Sequence, residues 1–308
     1  MYQEKRVIFY YGISPLHMGA GSATGAIDNP IQREVHTGHP LIAGSGIKGA
    51  IRHHFIASGI LNEEDRAVIF GPDTKASDFA GAVSFTDAQI VAFPVRSLRE
   101  TFVYATSPSS LARLKRIAGA AASWEVPSVA QGQFLGDAKN RLRTGDGKLI
   151  LEVFEFAQAQ QCIDAIAKWI AESALPVGDE HAFFRTKIQQ DLIVLNDTDF
   201  SHFVQNATVV EPHVRINNET GTADANNGGL FYTENLPPES LLVGQVLSTV
   251  DRSKGKDTSR LLDATKILAL LLEGRDAKPG IDNSVIQFGG DATSGRGLVL
   301  VHSVKGGN

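Results

Sequence analysis

The chain has 308 residues, 43% of them hydrophobic, which is enough to bury a sizeable core. Its one cysteine, Cys162, excludes an internal disulfide and a zinc site built on cysteines. No apolar run approaches the ~20 residues of a membrane helix and no signal-like segment opens the chain, so we expect a cytoplasmic protein without a membrane partner. The net charge of −5 argues mildly against a nucleic-acid binder, although a basic face can coexist with an acidic remainder.

Apolar periodicity and turn residues predict alternating strands and helices in the first half of the chain. A strand covers residues 5–13, and a helix covers 46–58 with Ser45 as its N-cap, since serine accepts hydrogen bonds from a first helical turn. The same reasoning predicts a strand pair over 82–93, a strand over 101–106, a helix from 107–110 through Ile117 and a loop-rich insertion over 119–147.

The second half continues this alternation around one polar hairpin. Residues 207–216 and 230–234 predict its two strands, and the tip, 217–229, is rich in glycine and asparagine and has no core. The other predicted elements are a strand over 149–156, a helix over 162–175, a strand or helix and then a short helix over 187–206, a strand over 241–250, a helix over 259–272, and strands over 285–288 and 297–302 around the glycine-rich loop 289–296. This order favours an α+β domain with helices on one face of a sheet, which periodicity alone does not distinguish from other α+β folds.

Glycines surround the start of the first helix. Gly44, Gly46 and Gly49 allow a ligand close to the backbone, and the helix start offers free N–H groups to an anion. Lys48 and Arg52 share one face of this helix, where a solvated pair of charges is the alternative interpretation. The residue after the lysine is not Ser or Thr, and a long loop separates strand from helix, so neither a Walker A loop nor a dinucleotide-binding fingerprint fits. The pattern indicates a phosphate-binding surface without a nucleotide cofactor.

Two side chains before that helix could serve acid–base chemistry. Asp28 precedes Asn29-Pro30, where an aspartate ordinarily caps a turn, so the residues alone favour the turn role. His17 has a reference pKa of ~6.5, but a hydrogen-bonded turn histidine is an equal alternative. RNA brings its own nucleophile, the 2′-OH, so one carboxylate could act as a base or hold a divalent cation. Glu34 is the only other acid nearby, so a two-metal site is not evident.

Longer stretches resemble a known family. The segment PLIAGSGIKGAIR resembles the P-x-I-x-G-S-x-x-K-G-x-x-R signature of the RAMP superfamily of CRISPR proteins. The segment HMGAG…AIDNPIQRE…TGHP is similar to the start of the backbone subunit of the type III-B (Cmr) effector complex. Further matches follow in order: IFGP, AGAVSFTDAQIVAFPVRS, FVYATSPSSLARL, RINNETGTADANNGGLFYTENLPPESLL and IQFGGDATSGRGLV. The resemblance covers nearly the whole chain.

The resemblance implies a fold and a function. It implies a single RAMP domain over 1–308, with a modified ferredoxin-like (RRM-like) core and a protruding thumb formed by the hairpin at about 207–234. It also implies a subunit that polymerises with further copies of itself along crRNA, joins other Cmr subunits, and cleaves complementary single-stranded target RNA at regular intervals. The implied activity is that of a metal-dependent endoribonuclease that uses Mg²⁺ or Mn²⁺.

The resemblance also assigns residues. Asp28 matches the aspartate that the family ties to target cleavage and is the expected metal ligand. His17 is the candidate acid–base partner on its own chemistry and not through the resemblance. The expected RNA-binding residues are Ser45, Lys48, Arg52 and Arg33, Arg296 in the glycine-rich loop, and Tyr232 and Glu234 on the return strand of the hairpin. Tyr232 and Glu234 could equally be packing residues. A crRNA-binding filament subunit without nuclease activity is the alternative function, and a stand-alone ribonuclease is third because no compact multi-acid or His/Lys/His site is evident.

Overall fold

The computed structural model describes residues 2–73, 79–136, 138–223, 229–253 and 261–306. The strands are β1 (Glu4–Gly12), β2 (Leu41–Ile42), β3 (Val83–Phe85), β4 (Ala88–Arg96), β5 (Phe102–Thr106), β6 (Gln133–Leu135), β7 (Lys148–Leu151), β8 (Phe154–Gln158), β9 (Leu192–Leu195), β10 (Val209–Val214), β11 (Leu230–Asn235), β12 (Leu241–Ser248), β13 (Ser284–Gln287) and β14 (Leu298–Val304). The α-helices are α1 (Gly44–Ser58), α2 (Glu63–Phe70), α3 (Pro108–Ala118), α4 (Asp164–Ala174), α5 (Asp179–Asp191), α6 (Asp197–Asn206) and α7 (Ala264–Glu273).

Two sheets contain these strands. The larger has the order β13-β14-β1-β12-β4-β5-β9-β6-β8-β7, with β2 added to β4 and β3 added to β12. The smaller is the β10–β11 hairpin. This mixture of helices with a large sheet confirms the predicted α+β class, and the ferredoxin-like core stays a prediction. In the described ranges, none of the helices has the length and apolar character that crossing a bilayer requires.

Strand β1 lies inside the large sheet and is buried on both faces. It pairs antiparallel with β12 on one side and β14 on the other. Its side chains alternate, so that Ile8 and Tyr10 enter one core and Phe9 enters a second. Helices α1 and α7 contribute to the first core, and α3 and α4 to the second. The expectation of helices on one face is therefore wrong, because both faces of the sheet are apolar and need a cover.

The first helix begins earlier than the sequence predicts. Ala43 is its N-cap residue, without a side-chain hydrogen bond, and the helix starts at Gly44. A Cβ atom on Gly44 would lie 2.3 Å from the Phe85 carbonyl oxygen, so the residue must be glycine. The Gly44 N–H donates to the Asp87 carboxylate at 2.7 Å. A carboxylate from another segment thus takes the capping role predicted for Ser45.

Four other segments differ from their predictions. The single strand predicted over 149–156 is the β7–β8 hairpin, which turns at Glu152 with a φ of 53°. Residues 187–206 form the end of α5, then β9 and α6. The loop-rich insertion 119–147 contributes β6 to the large sheet, where it pairs with β8 and β9. The predicted helix over 259–272 begins at Ala264, and residues 259 and 260 lie outside the described part of the chain.

The hairpin predicted over 207–234 is formed by β10 and β11. The strands pair antiparallel, with Pro212 opposite Tyr232. Residues 218–223 of the tip are exposed, and 224–228 lie outside the described residues. One hairpin face presents apolar side chains to solvent. On it, Val210 is 43%, Val214 46%, Leu230 56% and Tyr232 37% exposed.

Candidate active site

The outer edge of β11 is the scaffold of the candidate site. Its other edge pairs with β10, so the N–H and C=O groups of Tyr232, Glu234 and Leu236 point outward. Asn29 donates to the Tyr232 carbonyl and accepts from the Glu234 N–H, each at 3.0 Å. Leu16 exchanges two hydrogen bonds of 2.9 Å with Leu236. Two polar groups of this edge are left for side chains.

Asp28 binds the first of these groups. Its Oδ2 atom accepts a hydrogen bond of 2.8 Å from the Tyr232 N–H, and the side chain is half-buried. The Asp28 carbonyl accepts from the Ala23 N–H at 2.9 Å, which closes the preceding loop. Among the described residues no donor contacts Oδ1. One carboxylate oxygen therefore holds the chain in place, and the other is open to a ligand.

His17 binds the second group. Its Nδ1 atom lies 2.7 Å from the Glu234 carbonyl oxygen, which can only accept, so Nδ1 carries a proton and donates. Nε2 has no hydrogen-bond partner within the described ranges and faces Gly19, where a Cβ would lie 2.9 Å away. The glycine-rich loop packs on the other side, and the Gly290 N–H donates to the His17 carbonyl at 3.0 Å. Nε2 is thus the atom available for proton transfer.

Together these contacts place a carboxylate and an imidazole on one strand edge. Tyr232 and Glu234 are two residues apart, a separation of about 6.6 Å along a strand. Asp28 has an open oxygen there and His17 an open nitrogen, so the pair can contact one ligand. The described part of the chain contains no group of three or more His, Cys, Asp or Glu side chains arranged to bind a metal. A divalent cation at Asp28 would therefore take most of its ligands from phosphate oxygens and water.

Glu234 and Arg33, both predicted to bind RNA, have partners within the protein. Glu234 is 3% exposed, and its carboxylate accepts from the Ile31 N–H at 3.0 Å and the Thr208 hydroxyl at 2.7 Å and pairs with Arg33. A buried carboxylate is costly unless its oxygens accept hydrogen bonds in this way. An RNA contact by Glu234 would require the network to open, so the geometry favours the packing alternative. Tyr232, in contrast, keeps its ring at the surface.

The start of α1 lies at the surface. Ser45 is exposed in the first helical turn. Because the first intrahelical bond is donated by Ile47, the N–H groups of Ser45 and Gly46 have no partner among the described residues. They and the positive end of the helix dipole are available to an anion.

Lys48 and Arg52 extend this positive surface. Lys48 Nζ donates to the Val83 carbonyl at 3.2 Å. Burial lowers the pKa of Lys48, and the positive charges of Arg52 and Arg252 lower it further. The Arg52 guanidinium forms an ion pair with the Asp73 carboxylate. The positive charges of Lys48, Arg52 and Arg252 therefore repel one another, and a bound phosphate would reduce this repulsion.

Comparison with known proteins places this geometry in a family. The model of the RAMP superfamily matches residues 10–300. The chain belongs to the RAMP superfamily. It is 36% identical over 299 residues, 94% of this chain and 92% of the relative, to the CRISPR system Cmr endoribonuclease Cmr4 of Pyrococcus furiosus.

Solved RAMP structures have the same fold. A crystal structure of oligomeric Cmr4 from Pyrococcus furiosus covers 99% of both chains with a TM-score of 0.70 and 28% identity. A cryo-EM structure of the type III-B Cmr-beta complex bound to cognate target RNA contains a chain that matches 98% of both lengths with a TM-score of 0.71 and 20% identity. At that identity the second match shows the fold alone.

The C-terminal glycine-rich loop of this RAMP chain connects the site to the hairpin. Gly289 has a φ of 72°, and a Cβ there would lie 2.2 Å from the His17 carbonyl oxygen. The loop therefore packs against His17 only because it lacks a side chain at this point. Arg296, a predicted RNA contact, pairs with Glu211 on β10. Its guanidinium lies at the base of the hairpin, where RNA would have to compete with Glu211.

Sequence reasoning missed the polar partners supplied by distant segments. Glu34, the acid closest to Asp28 in the sequence, is 7% exposed and accepts from Arg113 at 2.9 Å and Gln89 at 2.9 Å. Burial would raise the pKa of Glu34, but hydrogen bonds from Thr37 and Arg113 outweigh it and lower the pKa below its usual value. Asp87, which lies within the strand pair predicted over 82–93, caps α1. No local sequence signal identifies such partners, because the two residues of each pair come together only in the folded chain.

Proposed function

We propose that this chain is a backbone subunit of a type III-B CRISPR (Cmr) effector complex that binds crRNA and cleaves complementary target RNA. The observation that carries the proposal is the attachment of Asp28 and His17 to adjacent outward groups of β11, each with one reactive atom open. The 36% identity to a protein named as a Cmr endoribonuclease supports the activity. The likeness to an oligomeric Cmr4 supports assembly with further copies of itself.

The surface at α1 is the proposed crRNA contact. Free N–H groups at Ser45 and Gly46 would hold a phosphate, and Lys48 and Arg52 would neutralise its neighbours. These contacts read no base edges, so they would accept any guide sequence. That property suits a subunit that repeats along one RNA strand.

The β10–β11 hairpin is the proposed thumb. Its exposed face presents Val214, Leu230 and Tyr232, which offer an apolar platform for unstacked bases. Asp28 and His17 lie at the root of the same hairpin because both are bonded to β11. A base displaced by the thumb would leave its neighbouring phosphate close to these two side chains, which accounts for cleavage at regular intervals along a filament.

The proposed reaction uses the 2′-OH of the target. Its oxygen attacks the adjacent phosphorus, the bond from phosphorus to the 5′-oxygen breaks, and a 2′,3′-cyclic phosphate and a 5′-OH result. Asp28 Oδ1 accepts or orients the 2′-OH proton, and His17 Nε2, when protonated, donates to the leaving oxygen. Alternatively, Asp28 would use Oδ1 to hold a divalent cation, Mg²⁺ or Mn²⁺, which would neutralise charge on the phosphate.

A filament subunit without nuclease activity is the second candidate function. The hydrogen bond from the Tyr232 N–H to Asp28 favours it, since a carboxylate that only closes a turn would make the same bond. The two functions differ in what the second carboxylate oxygen does.

Asp28→Asn separates the two functions. The amide oxygen can still accept from the Tyr232 N–H, so the turn is kept while the charge is removed. We expect the complex to assemble and to capture target, with the rate of cleavage reduced at least about 100-fold. End-labelled target is followed in single turnover, with and without Mg²⁺ or Mn²⁺. Cleavage at the wild-type rate would establish the structural function and sink the catalytic one.

A further inference from the structure

Arg33 occupies a junction between three parts of the fold. Its Nη1 atom donates to the carbonyl oxygens of Gly38 at 2.7 Å and Val204 at 3.0 Å. Its Nη2 atom donates to the Gln205 carbonyl at 3.4 Å and pairs with the Glu234 carboxylate. Val204 and Gln205 belong to the last turn of α6, where unpaired carbonyl groups attract a cation. These acceptors surround the guanidinium, and the side chain is only 22% exposed.

Glu234 connects the Arg33 junction to the chain segment that contains Asp28. One carboxylate oxygen accepts from Arg33 and from the Thr208 hydroxyl at 2.7 Å, and the other accepts from the Ile31 N–H at 3.0 Å. Ile31 lies between Asp28 and Arg33 in the chain. The segment is therefore tied to β11 through its backbone at 31 and through its side chain at 33.

The tie fixes the register on which both candidate reactive groups depend. Asn29 must stay beside Thr233 for Asp28 to reach the Tyr232 N–H. The carbonyl of Glu234 is also the acceptor for His17 Nδ1. Loss of the guanidinium would leave the Glu234 carboxylate buried without a counter-charge, which is costly unless the segment rearranges.

We propose that Arg33 is a positioning residue for target cleavage, which holds Asp28 and His17 in register through Glu234 and does not contact RNA. The inference rests on the proposed function for its effect on the reaction. It replaces the RNA contact that the family resemblance implies for Arg33. A 1 Å displacement of a reactive group can cost about 100-fold in rate, so a residue outside the reaction can control it strongly.

The test compares Arg33→Met and Arg33→Lys with Arg116→Met in complexes assembled on guide RNA. Arg116 is the control because it is exposed on α3 and, within the described ranges, forms no hydrogen bond or ion pair with a junction residue. Single-turnover cleavage, guide and target affinities with their salt dependence, and hydrogen exchange at the Asn29, Ile31 and Tyr232 amides are measured. We expect Arg33→Met to slow cleavage by about 10- to 100-fold. RNA affinities should stay within about twofold, and the three amides should exchange faster.

Arg33→Lys keeps the charge but cannot reach every acceptor, so we expect it to recover part of the rate. It also decides the matter if Arg33→Met fails to assemble. Weaker RNA binding with a reduced salt slope and unchanged exchange would show that Arg33 binds RNA and would overturn the inference, as would wild-type cleavage by both variants. Failure of the wild-type complex to cut target would instead contradict the proposed function, while the exchange measurement still tests the tie in the isolated chain.

Discussion

The two ends of the segment from Asp28 to Glu34 carry acids that the fold treats in opposite ways. Asp28 is half-buried, bonds to one backbone N–H and leaves Oδ1 open within the described ranges. Glu34 is buried and accepts from Thr37, Gln89 and Arg113. Six residues apart in sequence, the two carboxylates differ in whether their lone pairs are already used.

That difference indicates where function lies. A transition state gains only from groups whose hydrogen-bonding capacity is free when substrate arrives. A saturated, buried carboxylate instead holds segments together, and its removal leaves its partners unsatisfied. Residues of one motif can therefore serve catalysis and stability separately.

The largest expected effect on stability is that of Glu34→Ala. This change leaves Arg113, whose side chain is 17% exposed, without its counter-charge. We expect the free energy of unfolding to fall by about 3 kcal/mol, measured by urea denaturation of the isolated chain at pH 7. Asp28→Asn is the matched control and should change it by less than about 0.5 kcal/mol. Equal losses in the two variants would remove the distinction between the two ends.

The double variant Lys48→Met, Arg52→Met extends the comparison to cations. Both side chains have internal acceptors, but they lie beside free N–H groups at the start of α1, so we expect their main loss to be in RNA binding. The slope of log affinity against log salt should fall by about 1.4, from two lost phosphate contacts on a single strand. Guide binding is titrated by filter retention at several salt concentrations, with Arg116→Met as control. An unchanged slope would assign both cations to the fold alone.

Local chemistry made part of this structure predictable. The apolar run of β1, the glycines around Gly44 and the hydrophobic period of α3 and α4 are properties of neighbouring residues, so their elements follow from the sequence. The Asp28 motif is likewise continuous in sequence, and the catalytic role predicted for it stays a prediction. The β7–β8 turn was hidden because Glu152, not glycine, takes the left-handed conformation.

Long-range pairing made the rest unpredictable. The attachment of Asp28 to Tyr232 and of His17 to Glu234 joins residues 204 and 217 positions apart, and no period or motif encodes which strand edge receives them. The same applies to Arg33, which looks like a surface cation in sequence and is enclosed by carbonyl groups in the fold. Burial and saturation, which separate structural from reactive polar residues, are properties of the tertiary structure.

The hairpin tip should be the opposite case to Glu34, because its removal should change the rate of cleavage more than the stability of the fold. Residues 218–223 are exposed. Replacing 217–229 by a short Asn-Gly turn should change the free energy of unfolding by less than about 0.5 kcal/mol. Because a shortened thumb reaches less far into the RNA, target cleavage should slow by about tenfold and its spacing should change, as seen on gels of end-labelled target. An unchanged cleavage pattern would remove the thumb role.

The smallest expected effect concerns a half-buried acid that accepts a hydrogen bond and, among the described residues, has no cation beside it. Glu239 lies in the turn between β11 and β12, with a φ of 67°. The Tyr11 hydroxyl donates to its carboxylate and contacts the Tyr104 hydroxyl at 2.8 Å. Burial raises the pKa of Glu239 to about 7. This shift is opposite in direction to that of Glu34, where a guanidinium is present.

The two glutamates should therefore give the fold opposite pH dependences. Between pH 4.5 and about 7 the native state keeps a proton on Glu239 that the unfolded chain releases, so its contribution to stability falls as the pH rises. For a fully desolvated carboxylate the loss of stability across this pH range would be about 3 kcal/mol. Because Glu239 is partly exposed, we expect a loss of about 1 kcal/mol. Glu34, with a lowered pKa, contributes stability above its unfolded pKa and loses it as the pH falls. The gain in free energy of unfolding from Glu239→Gln should thus be about 1 kcal/mol larger at pH 8 than at pH 5. It is measured by urea denaturation of the wild type and the variant at each pH. An effect of equal size at both pH values would show that the pKa of Glu239 is not raised in the native state.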